Sequence, residues 1–272
     1  MRQLRRGTIS SPMQDNTRSL EVTVNPFPYW LALVALTAAE VLTVYLQIMA
    51  GIICHGVLLV VFVVQSALTP DRAQRNLFMA LCLAPLIRIL SLSMPLAPVP
   101  QIYWYLIIYG PLLAATVVVM LNTGLGRRDV GLVSRGWPLQ VVLGVVIGLG
   151  LGVLEYVILR PVPLATSFTL LGVLAPAFIL IITTGFGEEL IFRGVMQTLS
   201  DRVMGLWSVL YVSLIFAVLH IGHYSALDVV FVFLVALLFT AIMKRTGSLL
   251  GVTLAHGIAN SMLYCVMPFL LT

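Results

Sequence analysis

Long apolar runs separated by short polar connections dominate the chain beyond about residue 27. The runs cover residues 28–48, 51–69, 76–96, 102–122, 138–159, 170–198, 206–223, 226–243 and 249–270. Several of them reach the roughly 20 residues that an α-helix needs to cross the hydrocarbon of a bilayer. The pattern therefore predicts an all-α fold, a polytopic transmembrane helical bundle of about nine spans.

Composition supports an integral membrane protein. Of the 272 residues, 60% are hydrophobic and only 9% are charged, and the mean hydropathy is +1.08. So few charges cannot cover the water-facing surface of a soluble domain of this length. The lipid bilayer is therefore the expected environment.

Lysine and arginine concentrate in every second connection between the runs. They occur before the first run (Arg2, Arg5, Arg6, Arg18) and after the second (Arg72, Arg75), fourth (Arg127, Arg128, Arg135), sixth (Arg202) and eighth (Lys244, Arg245). Such connections face the cytoplasm in most membrane proteins, which predicts a cytoplasmic N-terminus and a C-terminus on the other side. Arg160 is the exception to the alternation. The net charge of +5 then reflects topology and attraction to anionic lipid, and no nucleic-acid partner is indicated.

The stretch GFGEELIFRG, residues 185–194, places three charges inside an apolar run. A charge near the middle of a bilayer costs at least about 2.5–3.5 kcal/mol, so Glu188, Glu189 and Arg193 are expected to neutralise or serve one another. Glu189 and Arg193 are four residues apart with the acid first, the favourable order for an ion pair on one helix face. Glu188 then points away from that pair and can act as a general base. A buried ion pair with a purely structural role is the alternative.

Two later motifs add polar groups at a similar depth. FAVLH places Phe216 and His220 on one helix face, and HGIAN does the same for His256 and Asn260. Counted from the predicted cytoplasmic turns at about 1.5 Å per residue, Glu188, the two histidines and the asparagine all fall roughly 16–23 Å from the inner end. This common level favours a catalytic site over unrelated packing residues.

The other polar residues of the apolar runs are expected to have structural roles or have two possible interpretations. His55 and His223 are expected to be structural histidines that are hydrogen-bonded to their surroundings. The single charges Glu40, Arg88 and Glu155 could each mark a functional pathway, or could pair with another charge.

EELIFR, FAVLH and HGIAN, in this order and at this spacing, resemble the three motifs of the CAAX-protease and bacteriocin-processing (CPBP) family of intramembrane proteases, also called the Abi family. That family includes the Ras-converting, type 2 kind of CAAX prenyl protease. The resemblance covers about residues 170–264, and all six motif positions match: Glu188, Glu189, Arg193, His220, His256 and Asn260. The arginine-rich residues 1–27 are expected to form a cytoplasmic tail, and the transmembrane helices at 28–136 carry no recognised motif. The resemblance implies an intramembrane catalytic domain at 137–272.

The resemblance implies hydrolysis of a peptide bond in a membrane-associated protein or peptide. Glu188 and His220 would activate a water molecule, and His256 and Asn260 would donate to the developing oxyanion. The neighbouring ion pair would hold the base in place. Two donors on one helix face suit this role, since one oxyanion donor is typically worth about 2.7–4 kcal/mol.

The sequence leaves two possibilities for the reaction, one independent of metal and one dependent on zinc. Glutamate and histidine are suitable zinc ligands, yet the sequence contains no His-Glu-x-x-His pair, and we favour a metal-independent glutamate mechanism without a cofactor. The rival is a zinc site made by Glu188, His220 and His256, with water as the fourth ligand. Serine or cysteine catalysis is disfavoured, because no Gly-x-Ser-x-Gly elbow is present and no cysteine lies in a motif.

A proton-coupled transporter, a channel or a non-catalytic scaffold would also contain buried glutamate, histidine and arginine. A transporter would more naturally show a repeated half, whereas the polar cluster here is confined to the last four runs. No feature of the sequence recognises a lipid, so a prenylated or otherwise lipid-anchored substrate stays open. We expect a multi-pass protein of the cell membrane that cleaves a membrane-associated protein or peptide.

Overall fold

The computed structural model describes residues 25–271. Within that range the chain forms nine helical segments and no strand, which confirms the predicted all-α polytopic bundle. The predicted cytoplasmic tail, residues 1–27, lies almost wholly outside the described residues.

Eight of the nine helices in the described range are long and apolar enough to cross a membrane. They are α1 (Phe27–Leu46), α2 (Ile48–Leu68), α3 (Arg72–Ser93), α4 (Gln101–Thr123), α5 (Trp137–Leu159), α6 (Leu170–Met204), α8 (Ala226–Thr246) and α9 (Leu250–Leu270). The ninth, α7 (Trp207–Val218), is followed by a 3₁₀ turn at Ile221–His223. Each predicted run coincides with one helix, and the largest difference is that α6 extends to Met204 rather than to residue 198.

Local sequence signals set several helix ends. The side chains of Gln47, Asp71, Thr169 and Ser225 accept hydrogen bonds from backbone N–H groups in the first turns of α2, α3, α6 and α8. Helix α8 is followed by Gly247, whose φ of 67° lies in the left-handed region that favours glycine. The breaks between the apolar runs are therefore encoded by capping chemistry as well as by polarity.

Helix α7 is short for a membrane span. Together with its 3₁₀ turn it covers residues 207–223, about 26 Å at 1.5 Å per residue, against about 30 Å of hydrocarbon. The helix ends just before His220 and His223. The polar end of α7 is therefore available to line an internal cavity.

Helix α6 lies at the centre of the C-terminal helices and has an unusual backbone. It packs against α4, α7, α8 and α9, and two consecutive parts of it, Ile181–Glu188 and Leu190–Met196, form π-helix. Short π-helical segments occur frequently at functional sites. Glu188 ends the first segment, so the α-helical spacing assumed from the sequence does not describe the local backbone.

A seam of glycines packs α5 against α9, and Gly144 and Gly148, four residues apart, share one face of α5. A Cβ atom built on Gly148 would lie 2.6 Å from the carbonyl oxygen of Ala255, and one on Gly144 would lie 2.8 Å from that of Gly251. Gly152 continues the same seam. The backbones of the two helices therefore approach each other closely, and α9 carries both His256 and Asn260.

We expect Gly148→Ala to lower stability by about 1–3 kcal/mol, because its methyl group must displace backbone rather than a flexible side chain. Gly150→Ala on the same helix is the matched control, since a Cβ there meets nothing within 4 Å. Alanine favours helix over glycine, so the control should unfold at or above the wild-type temperature. Thermal unfolding of both variants in detergent is the measurement, and equal unfolding temperatures would contradict the seam.

Candidate active site

The Glu189–Arg193 ion pair predicted from the sequence is present and buried. Arg193 Nη1 lies 3.0 Å from Glu189 Oε1, and the two side chains are 1% and 0% exposed. The ring of His256 donates from Nδ1 to the same carboxylate oxygen at 2.8 Å. The Arg193 guanidinium also packs over the ring of Phe216, 4.1 Å from its centroid, a favourable cation–π geometry. Arg193 thus ties α6 to α7 and, through Glu189, to α9.

Glu188 has a different environment from its neighbour. Its side chain keeps 15% exposure, and its Oε2 lies 3.8 Å from His256 Nε2. The hydroxyl of Tyr109 on α4 donates to its Oε1. One of the two adjacent glutamates is therefore committed to an ion pair, whereas the other faces a cavity.

His220 lies at the end of α7 and faces the same cavity as Glu188. The cavity has a volume of about 200 Å³, and Tyr109, Phe192 and His223 also line it. The Nδ1 atom of His220 donates to the carbonyl oxygen of Phe216 at 2.7 Å. This bond leaves Nε2 as the acceptor nitrogen of the neutral ring.

Asn260 lies one helix turn beyond His256 on α9. Its Nδ2 donates to the hydroxyl of Thr184 on α6 at 2.9 Å. Asn260, His256, His220 and Glu155 line a second, smaller cavity of about 30 Å³, enough for about one water molecule. His220 therefore lines both cavities, and the six sequence-predicted residues occupy one continuous region of α6, α7 and α9.

The residues do not fit a zinc site in this arrangement. In residues 25–271, no three histidine, cysteine, aspartate or glutamate side chains converge closely enough to hold a metal ion. The set proposed for zinc, Glu188, His220 and His256, is therefore not assembled as a ligand triad.

The part of the chain that builds this region resembles a known family. Residues 170–262 match the family model described as Type II CAAX prenyl endopeptidase Rce1-like. The match supports assignment to the CAAX-protease family. No match was found among curated proteins or among solved structures. The matched residues 170–262, called the CAAX-protease segment below, span about a third of the chain, run from the start of α6 into α9, and contain all six candidate residues.

Two site residues were missed by the sequence reasoning. Thr184 could have been found, because it precedes Glu188 by four residues and an α-helix would place both on one face. Tyr109 gave no signal, since it lies 79 residues from Glu188 and outside the CAAX-protease segment. A contact between helices so distant in sequence is visible only in the folded chain.

Four of the five isolated polar residues of the apolar runs have acidic or basic partners, and the fifth, Glu155, lines the smaller cavity instead. Arg88 Nε lies 2.6 Å from Glu40 Oε1, and His55 Nε2 lies 3.2 Å from the same oxygen. His223 Nδ1 donates to Asp228 Oδ2 at 2.8 Å. His55 and His223 thus each contact a buried carboxylate, and Glu40 and Arg88 pair with each other.

Proposed function

We propose that this protein is an intramembrane endopeptidase in which Glu188 and His220 activate a water molecule. The observation that carries the proposal is that the exposed part of the Glu188 carboxylate and the His220 imidazole line one cavity of about 200 Å³. Such a volume holds several water molecules beside the scissile bond. The match to CAAX proteases supports a peptide bond as the target.

The chemistry follows from the donors and acceptors of the site. Glu188 takes a proton from water as its oxygen bonds to the peptide carbonyl carbon, while the acceptor nitrogen of His220 accepts a hydrogen bond from the same water. The carbonyl oxygen becomes negative, and the free N–H of the Asn260 amide stabilises it together with the Nε2–H of a protonated His256, whose Nδ1–H is held by Glu189. The carbon–nitrogen bond then breaks, and the proton passes to the leaving amine. Tyr109 holds the carboxylate throughout.

The direct test is incubation of the purified full-length protein with one peptide in prenylated and unprenylated forms, analysed by mass spectrometry. We expect a new peptide terminus that is absent when Glu188→Ala is used. A preference for the prenylated form would show that the lipid is recognised. If neither form is cleaved by the wild type more than by Glu188→Ala, proteolysis of this peptide class is wrong.

Asn260→Ala should lower kcat by about 10²–10³-fold with little change in KM, because an oxyanion donor acts only in the transition state. Steady-state kinetics on a cleaved peptide provide the measurement. Thr184→Val is a useful companion, since it removes the hydroxyl that orients Asn260 and should give a smaller loss. A rise in KM at constant kcat would place Asn260 in ground-state binding instead.

Elemental analysis of the same preparations separates the two mechanisms. The metal-independent mechanism predicts full activity in wild-type protein from which metal has been removed. The zinc mechanism predicts one bound zinc ion per protein, which is lost in His256→Ala and retained in Asn260→Ala. Stoichiometric zinc that disappears in His256→Ala would contradict our proposal.

We propose that the N-terminus and the 124–136 loop face the cytoplasm and that the C-terminus faces the opposite side, on the basis of the lysine and arginine alternation. Single cysteines introduced as Arg128→Cys and Thr272→Cys, in a chain without its three native cysteines, should be labelled from opposite sides. Labelling of both positions from the cytoplasm would contradict nine crossings.

A further inference from the structure

His223 and Asp228 form a histidine–carboxylate pair at the edge of the larger cavity. His223 Nδ1 donates to Asp228 Oδ2 at 2.8 Å, and the His223 side chain lines the same cavity as Glu188 and His220. The sequence predicts only a structural role for His223, and the proposed mechanism uses neither member of the pair. The cavity thus contains an imidazole backed by a carboxylate that has no assigned function.

The turn between α7 and α8 brings the two side chains together. Ser225 caps α8 by accepting from the backbone N–H of Asp228 at 3.2 Å, which places Asp228 in the first turn of that helix. Tyr224, just before the cap, has a φ of 56°, in the left-handed region that residues other than glycine rarely adopt. In a capping box the acidic side chain at this position reaches back to the N–H of the cap residue, whereas the Asp228 carboxylate bonds to His223. Ordinary helix capping therefore does not account for its orientation.

The Asp228 carboxylate is buried with a single charge partner. Its side chain is 0% exposed, against 32% for His223, and its Oδ1 has no hydrogen-bond partner among residues 25–271. In that range His223 is the only basic side chain that pairs with it. A buried carboxylate without a cation is costly, so the charge is best balanced when the His223 ring is an imidazolium. The second N–H of that ring, at Nε2, has no partner in the described part of the chain.

The other polar side chains of the described cavity wall are less suited to give a proton to a leaving amine. His220 donates from Nδ1 to a backbone carbonyl, so its Nε2 is an acceptor. The Tyr109 hydroxyl donates to Glu188. Arg88 also lines the cavity, but a guanidinium keeps its protons in proteins. The remaining hydroxyl groups are much weaker acids than an imidazolium, which leaves His223 as the proton donor of the cavity.

We propose that His223 is the general acid that protonates the leaving amine, and that Asp228 is its positioning residue. This inference rests on the proposed protease function. As the carbon–nitrogen bond breaks, its electron pair goes to the nitrogen, which takes the proton from His223 Nε2. The proton that Glu188 took from the attacking water then passes through cavity water to the neutral His223 ring. Both groups regain their starting states, and no further reagent is consumed.

The experiment compares two forms of one peptide with the purified full-length protein. One form has the natural amide at the scissile bond that mass spectrometry identifies, and the other has a thioester there, with sulfur in place of the N–H. A thiolate leaves without a proton, whereas an amide nitrogen leaves only when it is protonated. Both kcat and KM are measured for each form, after subtraction of the rate with Glu188→Ala.

His223→Gln should lower kcat for the amide by about 10²–10⁴-fold and kcat for the thioester by no more than about threefold, with little change in KM. Asp228→Asn should show the same selective loss, because asparagine can accept the Nδ1 hydrogen bond but cannot balance an imidazolium. His55→Gln is the matched control. The His55 imidazole also contacts a buried carboxylate, that of Glu40 at 3.2 Å, but it does not line the cavity. The ratio of the two kcat values should therefore stay that of the wild type.

The outcomes separate the general acid from the protease itself. An equal loss of kcat on both forms in His223→Gln would show a structural role for the pair, and wild-type cleavage of the amide would show no role. Either result overturns the general acid and leaves the protease in place. A wild type that cleaves neither form faster than Glu188→Ala contradicts both proposals. Thermal unfolding in detergent shows which variants fold, and Asp228→Asn supplies the same comparison if His223→Gln does not.

Discussion

Glu188→Gln should reduce peptide cleavage by about 10²–10⁴-fold while the protein stays folded, because an amide cannot take the proton from water. Glutamine keeps the size of the side chain and can still accept the Tyr109 hydrogen bond. His220→Ala should give a loss of similar size, since it removes the second acceptor in the same cavity. Single-turnover cleavage with saturating enzyme measures both losses without interference from product release.

Asp129→Asn is the matched control for the loss of a carboxylate. Asp129 lies in the exposed 124–136 loop, where its side chain accepts a bond from the Gly126 N–H that asparagine can also accept. Wild-type activity is expected in this variant. Near wild-type activity in Glu188→Gln or His220→Ala would remove the corresponding residue from the mechanism.

Arg193→Ala should harm folding as well as activity. It removes the cation that Glu189 contacts at 3.0 Å and leaves that carboxylate buried with only His256 as a partner. Loss of one member of a buried ion pair typically costs about 3–5 kcal/mol, so the unfolding temperature in detergent should fall clearly. The protein yield and the kcat of the remaining folded fraction should fall with it.

Arg193→Lys separates the contribution of the positive charge to stability from that of the planar guanidinium group. Lysine keeps the positive charge but loses the planar group that packs over Phe216, so we expect a stability between those of wild type and Arg193→Ala. An unfolding temperature in Arg193→Ala equal to that of the wild type would show that the ion pair does not contribute to stability.

The features that the sequence predicts well are those carried by local patterns. Apolar run length specifies the nine helices, and four-residue spacing specifies the Glu189–Arg193 pair. The four-residue glycine spacing on α5 likewise indicates a closely packed face, although not that α9 is its partner. In each case the signal and the contact lie on one helix face.

The features that could not be predicted from the sequence depend on contacts between helices that are distant along the chain. The bond from Tyr109 to Glu188 and the entry of Arg88 into the cavity both depend on how α3 and α4 pack against α6. The hydrophobic pattern of an apolar helix in lipid does not indicate which helix packs against it, because all of its faces are similarly apolar. The π-helical backbone around Glu188 is similarly hidden, because glycines at 185 and 187 permit it without requiring it.

The length of α6 relates the height of Glu188, the proposed general base, to the thickness of the lipid around it. The apolar run of α6, residues 170–198, would extend about 43 Å as a helix, whereas the hydrocarbon is about 30 Å thick. Such hydrophobic mismatch is relieved by tilting, and Glu188 lies near the middle of the helix, where tilt changes its depth least. We therefore expect the two ends of α6 to shift as the membrane thins or thickens, while Glu188 stays at its depth. If the proposed chemistry holds, bilayer thickness should affect substrate entry at the rim of the bundle more than the reaction at its centre.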